Sequence, residues 1–192
     1  MPKTVLVPVA DGCEEIEAVT LIDVLRRAGA RVTVASVNNL QITASRGVKI
    51  EADCLIGDCV DQVFDLVVLP GGMPGAENLR QNGDLKELLL RQNARRGLFG
   101  AICAAPAVVL EAHGLLKGRK ATGHPNHKAG MTSASLSSSA VVVDDNCATS
   151  QGPGTALAFA LTLVELLFGR NKRQEVAGPM IIAENKFDKG KP

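Results

Sequence analysis

The sequence contains no tryptophan and no tyrosine, and aromatic residues make up only 3% of it. Single-stranded nucleic acid is held by stacking bases on aromatic side chains, so that class of partner is excluded. Charge of one sign is lacking too: 21 Lys and Arg stand against 20 Asp and Glu, a net charge of +1. No global field therefore gathers duplex nucleic acid or an acidic membrane. No apolar run reaches the roughly 20 residues that a membrane-spanning helix needs. The five cysteines, Cys13, Cys54, Cys59, Cys103 and Cys147, form neither a C-x-x-C pair nor a zinc spacing. That argues against a disulfide framework and a structural metal, and reduced thiols point to an intracellular, cytoplasmic setting. The opening Met1-Pro-Lys-Thr4 runs straight into a strand pattern, so no secretory signal is expected. Neither phosphate-binding glycine motif occurs. His124-Pro-Asn-His127 has the look of a metal pair, but no acid or thiol is spaced to complete it. No metal and no other cofactor is expected.

What is present is an alternation of short β-branched runs and helical patterns. With 192 residues, 46% of them hydrophobic, the chain suits a single domain over 1–192, with 186–192 a frayed tail. Thr4–Val9 is a compact strand, broken by Asp11-Gly12. The pattern predicts a helix from about Glu14 to Ala28, closed by Gly29. Arg31–Ser36 is the second strand, and 38–53 reads as a hairpin or arm. Phe64–Leu69 is a third buried strand, ending in Pro70-Gly71-Gly72. A helix over Leu85–Arg95 leads into a fourth strand before Cys103, and Pro106 opens the next helix. Arg119–Gly123 reads as a short strand with His124 just past it, and Met131–Ser139 as an exposed loop. Strands over 140–143 and 147–150 follow, then an apolar helix to Phe168 and a last helix over Gln174–Glu184. Such alternation calls for a doubly wound α/β sandwich around a mostly parallel sheet.

In sheets of this kind the functional crevice lies off the carboxyl ends of the strands. Glu17, Gly71-Gly72, Cys103 and His124 all follow strands and are candidates for one rim. Cys103 sits in a strand-to-helix bend, the layout of an exposed nucleophile, where a helix start favours thiolate. Glu17 falls at helical spacing with Leu21, Val24 and Ala28, which puts an acid on the inward face. Burial there raises a carboxyl pKa, and a neutral Glu17 can donate a hydrogen bond to the sulfur, whereas an ionised one raises the thiol pKa. His124 is placed to relay a proton. Cys13 reads as a bystander thiol. Arg46, with Glu14 and Asp23, is a candidate for an anion or dimer contact.

Four motifs, Val68-Leu-Pro-Gly-Gly72, Ala101-Ile-Cys-Ala-Ala-Pro106, Glu14-Glu-Ile-Glu-Ala-Val19 and Thr149-Ser-Gln-Gly-Pro-Gly-Thr155, resemble the ThiJ/PfpI superfamily, over roughly Lys3 to Glu184. Within it they are most similar to the branch of the parkinsonism-associated deglycase and the bacterial YajL protein. The resemblance implies a flavodoxin-like fold, a homodimer and an oxidation-prone Cys103 partnered by protonated Glu17. It also implies His124 near the thiol and an oxyanion pocket at Gly71, Gly72 and Ala104. The implied activity is that of a cysteine-dependent, glutathione-independent glyoxalase or protein deglycase, acting on small 2-oxoaldehydes or glycated proteins. The rival implied role is a redox-sensing chaperone in which Cys103 is oxidised. Two departures narrow this. Peptidase-like branches carry His where this chain has Ala104, which excludes proteolysis, and Gln151 stands where some relatives have an anion-binding Arg.

Overall fold

The computed structural model describes residues 2–182. In chain order the strands are β1 (Thr4–Val9), β2 (Arg31–Ser36), β3 (Gln41–Thr43), β4 (Lys49–Glu51), β5 (Cys54–Leu55), β6 (Leu66–Leu69) and β7 (Leu98–Ile102). They continue with β8 (Lys120–Ala121), β9 (Ser135–Leu136), β10 (Val141–Asp144) and β11 (Cys147–Ser150). The helices are α1 (Glu15–Arg27), α2 (Gly75–Gln81), α3 (Gly83–Ala94), α4 (Ala156–Phe168) and α5 (Arg170–Ala177). Seven strands form the central sheet in the order β10-β11-β7-β6-β1-β2-β5, parallel throughout except for β10. The α/β, flavodoxin-like doubly wound expectation holds.

The two faces of the sheet explain why its strands read as continuous apolar runs. Val5, Val7 and Val9 of β1 point to one face, against Leu21, Val24 and Leu25 of α1 and Phe159 and Leu163 of α4. Leu6, Leu69 and Phe99 point to the other, against Leu79 of α2 and Leu85 and Leu89 of α3. Each fully buried side chain of this size stabilises the fold by about 1.5–3 kcal/mol. The inward stripe of α1 was legible, and Gly29 closes it in the left-handed region at φ 87°.

Several expectations need correction. The helix over 85–95 starts earlier, at Gly83, because Asn82 caps it by accepting from the Leu85 N–H at 2.9 Å. A separate short helix, α2, precedes it. Pro106 does open a helix, but over Pro106–Glu111 it is of the wide π type rather than α. The strand at Lys120–Ala121 lies outside the central sheet and pairs with Ser135–Leu136, inside the supposed serine loop. The last helix starts at Arg170 and ends at Ala177, where Gly178-Pro179 turns the chain into a short 3-10 turn. The end of the helix expected to reach Glu184 and the tail at 186–192 lie outside the described residues. No helix among the described residues is long and apolar enough to cross a membrane.

Candidate active site

Cys103 is the first residue past β7 and takes φ 67°, the left-handed region that a side chain enters at a cost of about 1–2 kcal/mol. Its neighbours hold it there: its N–H donates to the Ser150 carbonyl at 3.0 Å, and its own carbonyl accepts from the His124 N–H at 2.8 Å. The bend turns a half-buried sulfur to the rim, as the strand-turn pattern predicted. The backbone after β6 approaches very closely. A Cβ on Gly71 would stand 2.7 Å from the Cys103 Cβ and 2.8 Å from the Ile102 carbonyl oxygen. One on Gly72, at φ 84°, would stand 2.4 Å from the Glu14 nitrogen. Both positions exclude any side chain.

Glu17 is fully buried on the inward face of α1. Its Oε2 accepts a hydrogen bond from the Gly71 N–H at 2.7 Å. Its Oε1 is buried with no hydrogen-bond partner, and the thiol of Cys103 is the side chain that the carboxyl group interacts with. Burial pushes the Glu17 carboxyl up to about 7, against the pull of the Gly71 N–H and the Cys103 thiol. Burial, and then the negative charge of Glu17, push the Cys103 thiol up to about 12, while the N–H groups of Gly72 and Ala104 act the other way. A thiolate-favouring helix start is therefore outweighed here, a correction to the sequence expectation. Between about 7 and about 12 the two groups hold one proton between them. Placed on Glu17 Oε1, that proton leaves a thiolate that faces two backbone N–H groups. Below about 12 a thiolate requires that proton to sit on Glu17; above it the sulfur ionises beside an already charged acid.

The thiol opens into a pocket of about 300 Å³ lined by Glu14, Ser45, Arg46, Gly72, Met73, Cys103, Ala104, His124, His127 and Pro153. Cys103, His124, Gly72, Ala104, Glu14 and Arg46 are thus brought together. The Nδ1 of His124 accepts from the Asn126 N–H at 3.3 Å, which assigns the ring proton to Nε2. Gly71 does not offer an oxyanion donor, since its N–H is committed to Glu17. Asp23 is not at the site: it pairs with Arg27 at 2.6 Å on the outer face of α1. Ser45, Met73 and Pro153 were missed, and His127 was weighed only as a metal partner of His124. His127 had a signal in the i,i+3 spacing from His124, which puts both rings on one side of a short turn, 5.9 Å apart. Cys13 is fully buried and its thiol is pushed up to about 11, chiefly by burial. An inert thiol is what that environment makes.

The turn that carries Arg46 is tied down by two further acids. Glu14 caps α1 by accepting from the Ile16 N–H and from the Ser45 hydroxyl. Glu15, also buried, accepts from the Ser45 hydroxyl at 2.9 Å and from the Arg46 N–H at 2.8 Å.

Residues 3–166 match the model of the DJ-1/PfpI family. The chain belongs to the DJ-1/PfpI family. It is 47% identical over 186 residues to the Arabidopsis thaliana protein DJ-1 homolog A, covering 95% of this chain and 47% of that one. The chain thus spans about half the length of the two Arabidopsis relatives, 47% and 43%. Identity is 38% over 182 residues to a Caenorhabditis elegans protein named glutathione-independent glyoxalase DJR-1.2, covering 94% of this chain and 96% of that one. Among solved structures, oxidised Toxoplasma gondii DJ-1 superposes with a TM-score of 0.92 at 43% identity, covering 95% of this chain and 100% of that one.

Proposed function

We propose that this DJ-1/PfpI protein is a cysteine-dependent, glutathione-independent glyoxalase that converts small 2-oxoaldehydes to hydroxy acids, and that the same chemistry serves early glycation adducts on proteins. The observation that carries the reading is the half-buried Cys103 sulfur opening into a pocket, with the fully buried carboxyl of Glu17 close enough to interact with that thiol. The naming of a relative as a glutathione-independent glyoxalase supports it.

The Cys103 thiolate attacks the aldehyde carbon of methylglyoxal and forms a hemithioacetal. The N–H groups of Gly72 and Ala104, which face the sulfur, are the donors available to the oxygen on the carbon that the sulfur attacks, and stabilise the charge that develops there. Glu17 and His124 shift a proton from the aldehyde carbon to its neighbour, which turns the hemithioacetal into a thioester. Water then cleaves the thioester, releases lactate and restores the thiol. The sum is methylglyoxal plus water to lactate, with no electrons exchanged and no cofactor consumed. Arg46 and Glu14 line the mouth of the site, and we further propose that the protein works as a homodimer.

The test is lactate formation by wild type, Cys103→Ser and Glu17→Gln side by side. Wild type forms lactate, Cys103→Ser forms none, and no lactate from wild type would overturn the enzyme reading. A second reading is a redox sensor in which Cys103 itself is oxidised. Its half-buried sulfur, open to the pocket, favours that reading, and peroxide sensitivity without turnover would select it.

A further inference from the structure

Two of the thiols remote from Cys103 are not scattered at all. Cys54 lies in β5, and Cys59 closes the 3-10 turn Ile56–Cys59 that follows. Five residues apart, their sulfurs stand 3.6 Å from each other. The turn is shaped to keep them there: Asp58 accepts from the Leu55 N–H at 3.2 Å, and its carbonyl accepts from the Gln62 side chain at 2.8 Å. Cys59 is fully buried beside Ile56 and Phe64, while Cys54 is half-buried and reachable from solvent. One sulfur is thus open to a small oxidant and the other waits behind it, dry. Burial also pushes the Cys59 thiol up to about 12, so it keeps its proton until it reacts.

We propose that Cys54 and Cys59 form a dithiol oxidation site, separate from Cys103, that closes to a disulfide on reaction with a hydroperoxide. The site sits on the edge strand of the sheet, with β2, β1 and β6 between it and β7, the strand that leads into Cys103. Four strand spacings at about 4.8 Å put roughly 19 Å between the two places, too far for Cys103 to act as partner. The chemistry balances with the peroxide as the only oxidant. Cys54 Sγ attacks a peroxide oxygen, the O–O bond breaks, and the thiol proton leaves with the departing alcohol or water, giving a sulfenic acid. Cys59 Sγ then attacks the Cys54 sulfur, the S–O bond breaks, and the Cys59 proton leaves with the hydroxide as water. Two electrons pass from the sulfur pair to the peroxide. The sulfurs must close by about 1.5 Å to reach a disulfide bond of roughly 2.05 Å. The short edge strand and the exposed Leu55, Gly57 and Asp58 of the turn leave room for that movement.

The test uses the full chain carrying Cys103→Ser, so that the pocket thiol does not compete. It is treated with hydrogen peroxide, free thiols are alkylated, and the protein is cut with trypsin. Residues 50–80 form one tryptic segment that holds Cys54 and Cys59 and no other cysteine. The expected result is a segment lighter by two hydrogens and carrying no alkyl group, restored to two alkylatable thiols by dithiothreitol. Adding Cys54→Ser abolishes this. Adding Cys59→Ser instead leaves a sulfenic acid at Cys54 that dimedone traps. Two alkylated thiols after peroxide, or separate sulfinic acids at the two positions, would overturn the proposal.

Discussion

Glu15 and Glu17 sit two residues apart in the first turn of one helix, both buried, yet they are driven in opposite directions. Burial pushes Glu15 up, but hydrogen bonds from its own N–H, the Ser45 hydroxyl and the N–H groups of Arg46 and Val48 outweigh it and hold the carboxyl below its ordinary value. Glu17 has one such bond, to Gly71, and a second oxygen that faces only a thiol, so burial prevails and the value rises to about 7. Burial alone therefore does not decide protonation at this site. The count of donors does. Glu15 is a permanent anion that anchors the Arg46 turn, and Glu17 is an acid kept ready to part with, or hold, a proton.

The comparison can be broken most sharply by activity. Glu17→Gln is expected to lower lactate formation by about 10²–10⁴-fold, the range for losing a proton-transfer group, while Glu15→Gln stays within about tenfold of wild type. Equal losses in the two variants, measured as kcat/KM, would show that both acids merely shape the site. Next in size, Gly71→Ala pushes a methyl against Cys103 and removes the apposition of acid and thiol. It should cost about 1–3 kcal/mol in urea unfolding, together with most of the activity.

Stability against pH sharpens the contrast through its sign. The folded-state value of Glu17, about 7, lies above the ordinary 4.5, so its stabilisation is full below 4.5 and is lost as pH rises to about 7. The loss amounts to about 1–3 kcal/mol and should vanish from the urea-unfolding series of Glu17→Gln. Glu15 is shifted down, so its contribution is present above its ordinary value and is lost only as pH falls through the depressed one. Glu15→Gln should therefore alter only the acid side of the same series.

A smaller effect concerns the thiol. Alkylation of Cys103 in wild type should rise in two steps, near 7 and near 12, because the first ionisation belongs to the pair. Glu17→Gln should leave a single step, and a two-step profile in that variant would detach the acid from the sulfur. The smallest effect is at Asp23, whose partner is an exposed Arg27: Asp23→Ala should leave kcat/KM unchanged.

Much of this was legible from residue patterns. β2 was read at its observed bounds because a β-branched run between Gly29 and the polar Asn38-Asn39 has one reading. Glu17 was found because a carboxylate at the spacing of Leu21 and Val24 breaks an apolar stripe. β8 was misplaced because two residues, Lys120 and Ala121, carry no periodicity that says which sheet they join. Asp23 was grouped with Glu14 and Arg46, although its position on α1 points it away from the rim.

The sequence by itself determined the order of elements, the inward acid and the cysteine at a bend, because these follow from local periodicity and turn chemistry. Only the tertiary structure decided that one Glu17 oxygen is satisfied by Gly71 and the other left to Cys103, that Glu15 is saturated with donors, and that Cys54 meets Cys59. Those outcomes depend on which backbone N–H groups and side chains arrive from distant strands or from across a turn. A hydrogen bond between residues 54 apart in the chain leaves no trace in the pattern around either one.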